Sequence, residues 1–165
     1  MSNKLAQLVG KINGSNVSNR IKSWALSLAF NSQVKFAGTS GIRINELTAR
    51  SSQVELRNRW RVQNHIGGIH ACGMALLAES ATGVVFGMNV PDTHLPLLKS
   101  MKVEFNRRAQ GDLRAHATLS EEQIDKIQKT EKGSTIVSVE ISDLSNQHPI
   151  VCEMEWAWTT KPKKS

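Results

Sequence analysis

The residues with the greatest potential for chemistry lie between Asn64 and Glu79. This segment supplies an amide at Asn64, an imidazole at His70 and a thiol at Cys72 before an apolar run that leads to Glu79. A carboxylate on an otherwise apolar helix is costly to bury, so it normally indicates a functional group or a buried ion pair. Together these groups predict an enzyme.

A buried helix is predicted to position these groups. Residues 69–86 contain no proline and are apolar on nearly every side, which is typical of a helix that other structure surrounds. His70, Ala71 and Cys72 are therefore expected at the buried start of this helix, and Glu79 is expected near its middle.

The other elements follow from changes in hydrophobic period. Helical spacing predicts two N-terminal helices, the second capped by Ser18. Alternation predicts a short strand at residues 42–44, a half-buried strand at residues 54–62 and four later antiparallel strands. The two helical patterns consist of Leu5, Leu8, Val9 and Ile12, and of Ile21, Trp24, Ala25 and Leu28. The four later strand patterns consist of Met101, Val103 and Phe105; Leu113, Ala115, Ala117 and Leu119; Thr135, Val137, Val139 and Ile141; and Ile150, Cys152, Met154, Trp156 and Trp158.

Turn and cap signals connect these runs. Gly111-Asp112 predicts a hairpin turn between the first two of the four later strands, and residues 146–149 predict another turn. Residues 120–129 predict a short capped helix. The order of elements predicts an α+β fold in which a long antiparallel sheet curls around one apolar helix. The length fits a single domain, residues 1–165.

The composition restricts the class of protein. No stretch reaches the roughly 18 apolar residues that a membrane span needs, and residues 1–10 do not resemble a secretory signal. We therefore expect a cytoplasmic location and two reduced cysteines. The formal charge of +7 favours an anionic partner, which could be nucleic acid, an acidic membrane or a phosphorylated small molecule. The lack of tyrosine and of a basic stripe with aromatic residues argues against nucleic acid.

Two motifs resemble a known family. Asn64-x-x-Gly67-x-x-His70, with Glu79 nine residues later, and the segment Arg107–Leu113 are similar to the hotdog-fold acyl-CoA thioesterases, particularly the phenylacetyl-CoA and 4-hydroxybenzoyl-CoA type. The resemblance covers roughly residues 41–160. It implies a hotdog core of about five to six strands around a central helix, with residues 1–38 as a helical extension. The family motif usually ends His-Gly-Gly, whereas this chain has His-Ala-Cys.

The resemblance implies hydrolysis of an acyl-CoA thioester without a cofactor. Glu79 stands where the family keeps its catalytic Asp or Glu, so it would be the nucleophile or general base. The N–H groups of Ala71 and Cys72 would stabilise the oxyanion at the helix start, and Asn64 would add a side-chain donor. His70 would orient the loop through hydrogen bonds.

Arginines are the predicted ligands of the CoA phosphates. Arg107 and Arg108, beside the Gly111 turn, are the first candidates. Lys161, Lys163 and Lys164 in the C-terminal tail are further candidates. No metal site is predicted, because the four residues that it would need lack the close spacing of zinc ligands. Those residues are His65, His70, Glu79 and His94.

Several of these residues have a second interpretation. Glu79 would also suit a structural ion pair with an arginine across an interface, Asn64 would suit a turn, and His70 would suit ordinary packing. Cys72, at a helix start, would be either a small packed residue or a nucleophile activated by a lowered pKa.

Helix geometry indicates an oligomer. At about 100° and 1.5 Å per residue, nine residues turn Glu79 to the opposite side of the helix from His70 and about 13 Å along it. If both act, a second subunit must bring its own helix start to Glu79, which predicts a homodimer with two sites or a homotetramer. The alternatives to the enzyme are an acyl-CoA or fatty-acyl binding protein without catalysis, and an interaction domain with an occluded site.

Overall fold

The structure is a computed structural model that describes residues 3–162. Three helices come first, then two strands, a long helix, two strands, a short helix and two final strands. A 3₁₀ turn, Trp60–Val62, precedes the long helix. The elements are α1 (Lys4–Asn13), α2 (Asn19–Gln33), α3 (Lys35–Ser40), β1 (Arg43–Leu47), β2 (Ser51–Leu56), α4 (Ala71–Gly87), β3 (His94–Phe105), β4 (Leu113–Thr118), α5 (Glu121–Lys129), β5 (Gly133–Asp143) and β6 (Ile150–Thr160).

The strands form one six-stranded antiparallel sheet in the order β1-β2-β4-β5-β6-β3. Helix α4 contacts five of the six strands, because its side chains are apolar on most of its circumference and need cover on most sides. The predicted α+β architecture, with a sheet around an apolar helix, is confirmed. The capped helix is also confirmed, because Ser120 and Gln123 form a reciprocal capping box at the start of α5.

The predicted hairpin at Gly111-Asp112 is wrong. Strand β3 pairs with β6 over residues 94–105 at one edge of the sheet, whereas β4 lies between β2 and β5. Gly111 does turn the chain, with a φ of +69°, but it leads into β4 after a connection from the other part of the sheet. Alternation identifies a strand and its buried face, but it contains no information about which strand is its neighbour.

The predicted strand at residues 54–62 ends early, at Leu56. The backbone N–H of Asn58 donates to the Asp112 carboxylate over 2.8 Å instead of continuing a ladder, and the 3₁₀ turn follows. As a result Trp60, which a continued alternation with Val54 and Leu56 would place on the buried face, is 83% exposed.

Helix α2 exists as predicted, but it presents the opposite face to the protein. Its buried residues are Ser23 and Leu26, whereas Ile21, Trp24 and Leu28 are exposed. Ser18 occupies the N-cap position without a capping side-chain hydrogen bond. Helix α3, which the sequence patterns did not predict, follows directly from α2.

One side of α4 is less buried than the rest. Positions spaced by four residues fall on one side of a helix, and here Ala71, Ala75, Glu79 and Gly83 are exposed or half-buried while most of the other α4 residues are buried. We call these four residues the α4 stripe. The stripe runs towards β6, because the Trp156 ring lies against Gly83.

Substitution of Gly83 by alanine is expected to destabilise the fold. Alanine normally improves a helix interior by about 1 kcal/mol relative to glycine, but a Cβ here would lie 2.7 Å from two ring atoms of Trp156. The ring cannot move freely, since its Nε1–H donates to Thr82 Oγ1 over 2.9 Å and it stacks on Phe86. We expect a net loss of about 1–3 kcal/mol in the free energy of unfolding, measured with urea.

Gly87 provides the matched control on the same helix. A Cβ at Gly87 would meet only Leu5, at an ordinary 3.7 Å, so Gly87→Ala is expected to leave the stability unchanged or raise it. A Gly83→Ala protein as stable as the native one would show that Trp156 is free to shift.

Candidate active site

His70 organises the start of α4. It occupies the N-cap position with extended backbone angles, and its ring Nδ1 accepts the Cys72 N–H over 3.1 Å. Its own N–H donates to the Val62 carbonyl over 2.8 Å, which fixes the loop against the preceding 3₁₀ turn. The ring is therefore committed to a structural hydrogen bond at one nitrogen.

The two N–H groups predicted for the oxyanion differ in their availability. That of Cys72 is bound to the His70 ring, whereas the structure gives the Ala71 N–H no acceptor within residues 3–162. The first N–H groups of a helix have no acceptor within the helix, and the helix dipole adds positive potential there. The expectation of a buried helix start needs correction for the single chain, in which His70, Ala71 and Cys72 are exposed.

Asn64 holds the loop that leads to this helix start. Its Oδ1 accepts the N–H groups of Ile66 and Gly68, each over 3.1 Å, and its carbonyl accepts the N–H of Gly67. Gly67 has a φ of +75°, which glycine adopts without strain. The turn interpretation of Asn64 describes these contacts, and its amide Nδ2 group takes no part in them.

Glu79 lies half-buried on the α4 stripe. Burial raises the pKa of its carboxyl, and the adjacent Ser80 hydroxyl opposes this rise. Within residues 3–162 no arginine, lysine or histidine forms an ion pair with Glu79. A carboxyl group with a raised pKa and no cationic partner has the properties of a general base.

One chain does not bring these groups together. Ala71 and Glu79 share the α4 stripe but are eight residues apart, which corresponds to about 12 Å along the helix axis. A thioester carbonyl at the Ala71 N–H therefore lies out of reach of Glu79 of the same helix.

The two predicted phosphate ligands both have partners in the chain. Arg107 donates to the buried Asp143 carboxylate over 2.8 Å, and Arg108 donates to the carbonyl of Ile66 over 3.0 Å. Burial opposes ionisation of Asp143, but hydrogen bonds from the Ser145 hydroxyl and from the backbone N–H groups of Gln110, Ser145 and Gln147 hold its pKa well below the usual range.

One of the three tail lysines lies within the described residues. Lys161 donates its Nζ to the carbonyl of Asp92 over 2.6 Å, which ties the end of β6 to the start of β3. Lys163 and Lys164 lie outside the described residues. Within residues 3–162, no group of three His, Cys, Asp or Glu side chains is placed to hold a metal ion. No helix of that part of the chain is long and apolar enough to cross a membrane.

A basic cleft that the sequence patterns did not predict lies beside the start of α4. It encloses about 190 Å³ and is lined by Ser40, Gly41, Arg43, Arg57, Arg59 and Arg61; we call it the arginine cleft. Glu55 neutralises one member through a 2.9 Å ion pair with Arg57. The cleft adjoins α4, because Arg61 precedes Val62, whose carbonyl holds the His70 N–H. The run Arg57-x-Arg59-x-Arg61 is visible in the sequence, but the strand predicted at residues 54–62 would place these arginines on its exposed face.

Residues 22–159 match a protein family described as Domain of unknown function (DUF4442). The chain belongs to this family. No curated protein matches this DUF4442 chain.

Solved structures share the fold of the DUF4442 chain. A Pseudomonas aeruginosa protein of unknown function, called a probable thioesterase, is 21% identical, with a TM-score of 0.73 over 82% of this chain and 93% of its own. A thioesterase from Haemophilus influenzae is 14% identical, with a TM-score of 0.66 over 81% of this chain and 90% of its own. A thioesterase family protein from Silicibacter pomeroyi is also 14% identical, with a TM-score of 0.64 over 82% and 96%. These likenesses confirm the predicted hotdog fold.

Proposed function

We propose that this DUF4442 protein hydrolyses acyl-CoA thioesters, with Glu79 as the general base. The observation that carries the proposal is the Glu79 carboxyl, whose pKa burial raises and which has no cationic partner within the described residues. The names of the structural relatives, which include thioesterases, support the reaction class.

The reaction that suits these groups is attack by water. The Glu79 carboxylate removes a proton from a water molecule, whose oxygen attacks the thioester carbonyl carbon. The electron pair of the C=O bond moves to oxygen, and the resulting oxyanion accepts a hydrogen bond from the Ala71 N–H. The intermediate collapses with cleavage of the C–S bond, and Glu79 returns the proton to the departing CoA thiolate. In the other form of the proposal, Glu79 attacks the carbonyl itself and water releases the acyl group from it.

A second copy of the chain would complete the site. Strand β3 is a 12-residue edge strand with exposed apolar side chains at Leu97, Met101 and Phe105, and a long exposed apolar edge favours pairing with another strand. Two-fold pairing at β3 would bring the α4 stripe of one chain towards that of the other. Glu79 of each chain could then face the Ala71 N–H of its partner, which gives two sites per homodimer. A homotetramer would pair two such dimers.

The arginine cleft would bind the nucleotide phosphates of CoA. Guanidinium groups bind phosphate in a bidentate manner, and Trp60, between Arg59 and Arg61 in the sequence, offers an exposed aromatic face on which a base can stack. Arg108, which donates to the carbonyl of Ile66 in the loop before α4, would bind a phosphate at the edge of the arginine cleft. Arg107 is the weaker candidate because Asp143 already neutralises it.

Removal of one guanidinium from the cleft is expected to weaken binding of the CoA ester. Arg59 makes no side-chain hydrogen bond within residues 3–162, so Arg59→Gln removes a phosphate ligand without breaking a structural contact. We expect KM to rise about tenfold with kcat unchanged. Arg50→Gln, at the other end of β2 with only an exposed ion pair to Glu121, should leave KM unchanged.

A truncated substrate separates this effect from a general one. The thioester of N-acetylcysteamine has no nucleotide, so Arg59→Gln should not alter its hydrolysis. An equal rise in KM for both substrates would contradict a phosphate role for the cleft.

The first test of the function is thiol release from short, long and aromatic acyl-CoA esters. Release above the uncatalysed rate supports the hydrolase, and the best ester describes the acyl pocket. Saturable binding of a CoA ester without release would instead support the alternative, an acyl-CoA or fatty-acyl binding protein. That alternative is favoured by the replacement of the usual Gly-Gly by Ala71-Cys72.

A further inference from the structure

Helix α2 covers the free edge of β1 with polar side chains. Ser23 Oγ donates to the Ile44 carbonyl over 2.8 Å, Ser27 Oγ accepts the Ile44 N–H over 2.9 Å, and Asn31 Nδ2 donates to the Ile42 carbonyl over 2.9 Å. These side chains are spaced by four residues and therefore lie on one side of the helix. They satisfy backbone groups that an edge strand would otherwise leave open.

The opposite side of α2 is apolar and faces solvent. Ile21 is 52% exposed, Trp24 64% and Leu28 55%, and Phe36 at the start of α3 is 63% exposed. A surface helix normally buries its large apolar residues, whereas α2 exposes these and has only Ser23 and Leu26 buried on its inner side. Single exposed apolar residues are ordinary, but a cluster of large ones on one helix indicates a surface that something else covers. We call Val17, Ile21, Trp24, Leu28 and Phe36 the α2 face.

The chain segment that contains the α2 face carries charge of one sign. Residues 1–45 contain six of the 21 lysines and arginines of the chain and none of its 14 acidic residues. This segment therefore carries +6 of the formal +7, and residues 46–165 are close to neutral. Arg20 and Lys35 are exposed beside the α2 face.

The charge decides what can cover the α2 face. A second copy would bring two segments of high positive charge together. The carboxylate beside α2, Glu46, lies with Asn19, Lys22 and Leu26 and not with the α2 face. An anionic lipid surface offers both an apolar layer and negative headgroups. An apolar face with Trp and Phe, flanked by basic residues, is typical of helices that lie in the membrane interface. With 15 residues α2 is about 22 Å long, shorter than the roughly 30 Å hydrocarbon core, so it suits the plane of the interface.

We propose that the α2 face docks this protein onto anionic membrane surfaces. Trp24 and Leu28 enter the interface at the level of the acyl chain boundary, and Arg20 and Lys35 contact the lipid phosphates. The hydrogen bonds that Ser23, Ser27 and Asn31 form with the backbone of Ile42 and Ile44 hold the helix in the orientation that this requires. The docking surface is independent of the proposed hydrolysis, because it shares no residue with the α4 stripe or the arginine cleft.

Sedimentation with lipid vesicles tests the proposal. The full chain is expected to bind vesicles of phosphatidylcholine mixed with phosphatidylglycerol, and to bind vesicles of phosphatidylcholine alone much more weakly. Leu28→Ser and Trp24→Ser should each weaken binding about tenfold, since each removes a large apolar side chain from the interface. Lys35→Gln should weaken binding about fivefold, and added salt should weaken binding of the native chain.

Matched substitutions elsewhere serve as controls. Ile136, which is 50% exposed on β5, and Lys132, which is exposed before β5, lie outside the α2 face. Ile136→Ser and Lys132→Gln should bind vesicles like the native chain, and all variants should keep the native circular dichroism. Hydrolysis of a short-chain ester without lipid should be the same for the α2-face variants as for the native chain, which separates this proposal from the proposed function.

Three results would overturn the proposal. They are no binding of the native chain to anionic vesicles at low salt, equal binding to both kinds of vesicle, and unchanged binding of Leu28→Ser and Trp24→Ser. Self-association of the native chain that Leu28→Ser abolishes would also overturn it, because a second copy would then be the partner of the α2 face.

Discussion

Glu79→Gln is expected to lower kcat for thioester hydrolysis by about 10²- to 10⁴-fold, because glutamine keeps the shape of the side chain but cannot accept the proton from water. KM should change little if the carboxylate acts mainly in the transition state. Thiol release under saturating acyl-CoA measures both constants. The exposed Glu140 on β5 supplies the control, and Glu140→Gln should keep the native rate.

The pH profile gives a second measure of the same group. A general base acts when it is deprotonated, so kcat/KM of the native protein should rise with pH through an apparent pKa above the ordinary glutamate value, in line with the raised pKa of Glu79. The residual kcat/KM of Glu79→Gln should not show this rise with pH. A variant that hydrolyses the ester as fast as the native protein would contradict the role of Glu79 and direct attention to Cys72 or His70.

The same pKa shift has a consequence for stability. A carboxyl whose pKa is raised in the folded state disfavours folding once it ionises, so its cost appears as the pH rises from the unfolded to the folded pKa and persists above both. Glu79→Gln should therefore raise Tm at neutral pH, and this gain should vanish in acid below about 4.5, where the carboxyl is protonated in both states. A variant that is more stable but far less active is the pattern expected of a functional group placed at a cost to the fold.

The central helix was the part of the fold most accessible to sequence reasoning. Residues 69–86 are apolar on nearly every side, which favours a buried helix, and the alternating strands then have one apolar helix to cover. Strand order was not accessible, because the pairing of β3 with β6 depends on contacts between residues about 50 positions apart. The exposed Trp60 and the arginine cleft were not accessible either. Both depend on the early end of β2, which leaves Arg57 and Arg59 outside a strand.

Two local features of the structure could not be predicted from the sequence patterns. Helical spacing of Ile21, Trp24 and Leu28 correctly predicted a helix, but spacing cannot state which side faces the protein. The side of α2 with Ser23, Ser27 and Asn31, together with Leu26, faces inward because the β1 edge offers backbone groups that hydroxyls and amides can bind. At the start of α4, His70 was expected to orient the loop. Only the structure shows that the His70 ring accepts the Cys72 N–H, which is then not open to an oxyanion.

Ala71→Pro is expected to lower kcat by about 10²- to 10³-fold, the usual cost of one lost oxyanion donor. Proline deletes the Ala71 N–H, yet the first position of a helix accepts proline readily. The preceding residue, His70, has a φ of −63° and a ψ of 147°, which are the extended angles that a residue before proline prefers. Stability towards urea should therefore remain near native. Ala71→Gly retains the N–H and should keep most of the activity, whereas equal losses in both variants would exclude the backbone donor.

Mixing the two inactive chains tests whether the site is shared between subunits. If Glu79 of one chain works with the Ala71 N–H of its partner, a dimer of Glu79→Gln with Ala71→Pro contains one site with both defects and one site with none. When equal amounts of the two chains are unfolded and refolded together, half of the dimers are mixed, so about a quarter of the native activity should return. If both groups served a carbonyl within one chain, every site would keep one defect and mixing would recover nothing. Recovery in the mixture, with none in either chain alone, therefore requires that each site draw Glu79 from one subunit and the helix start from the other.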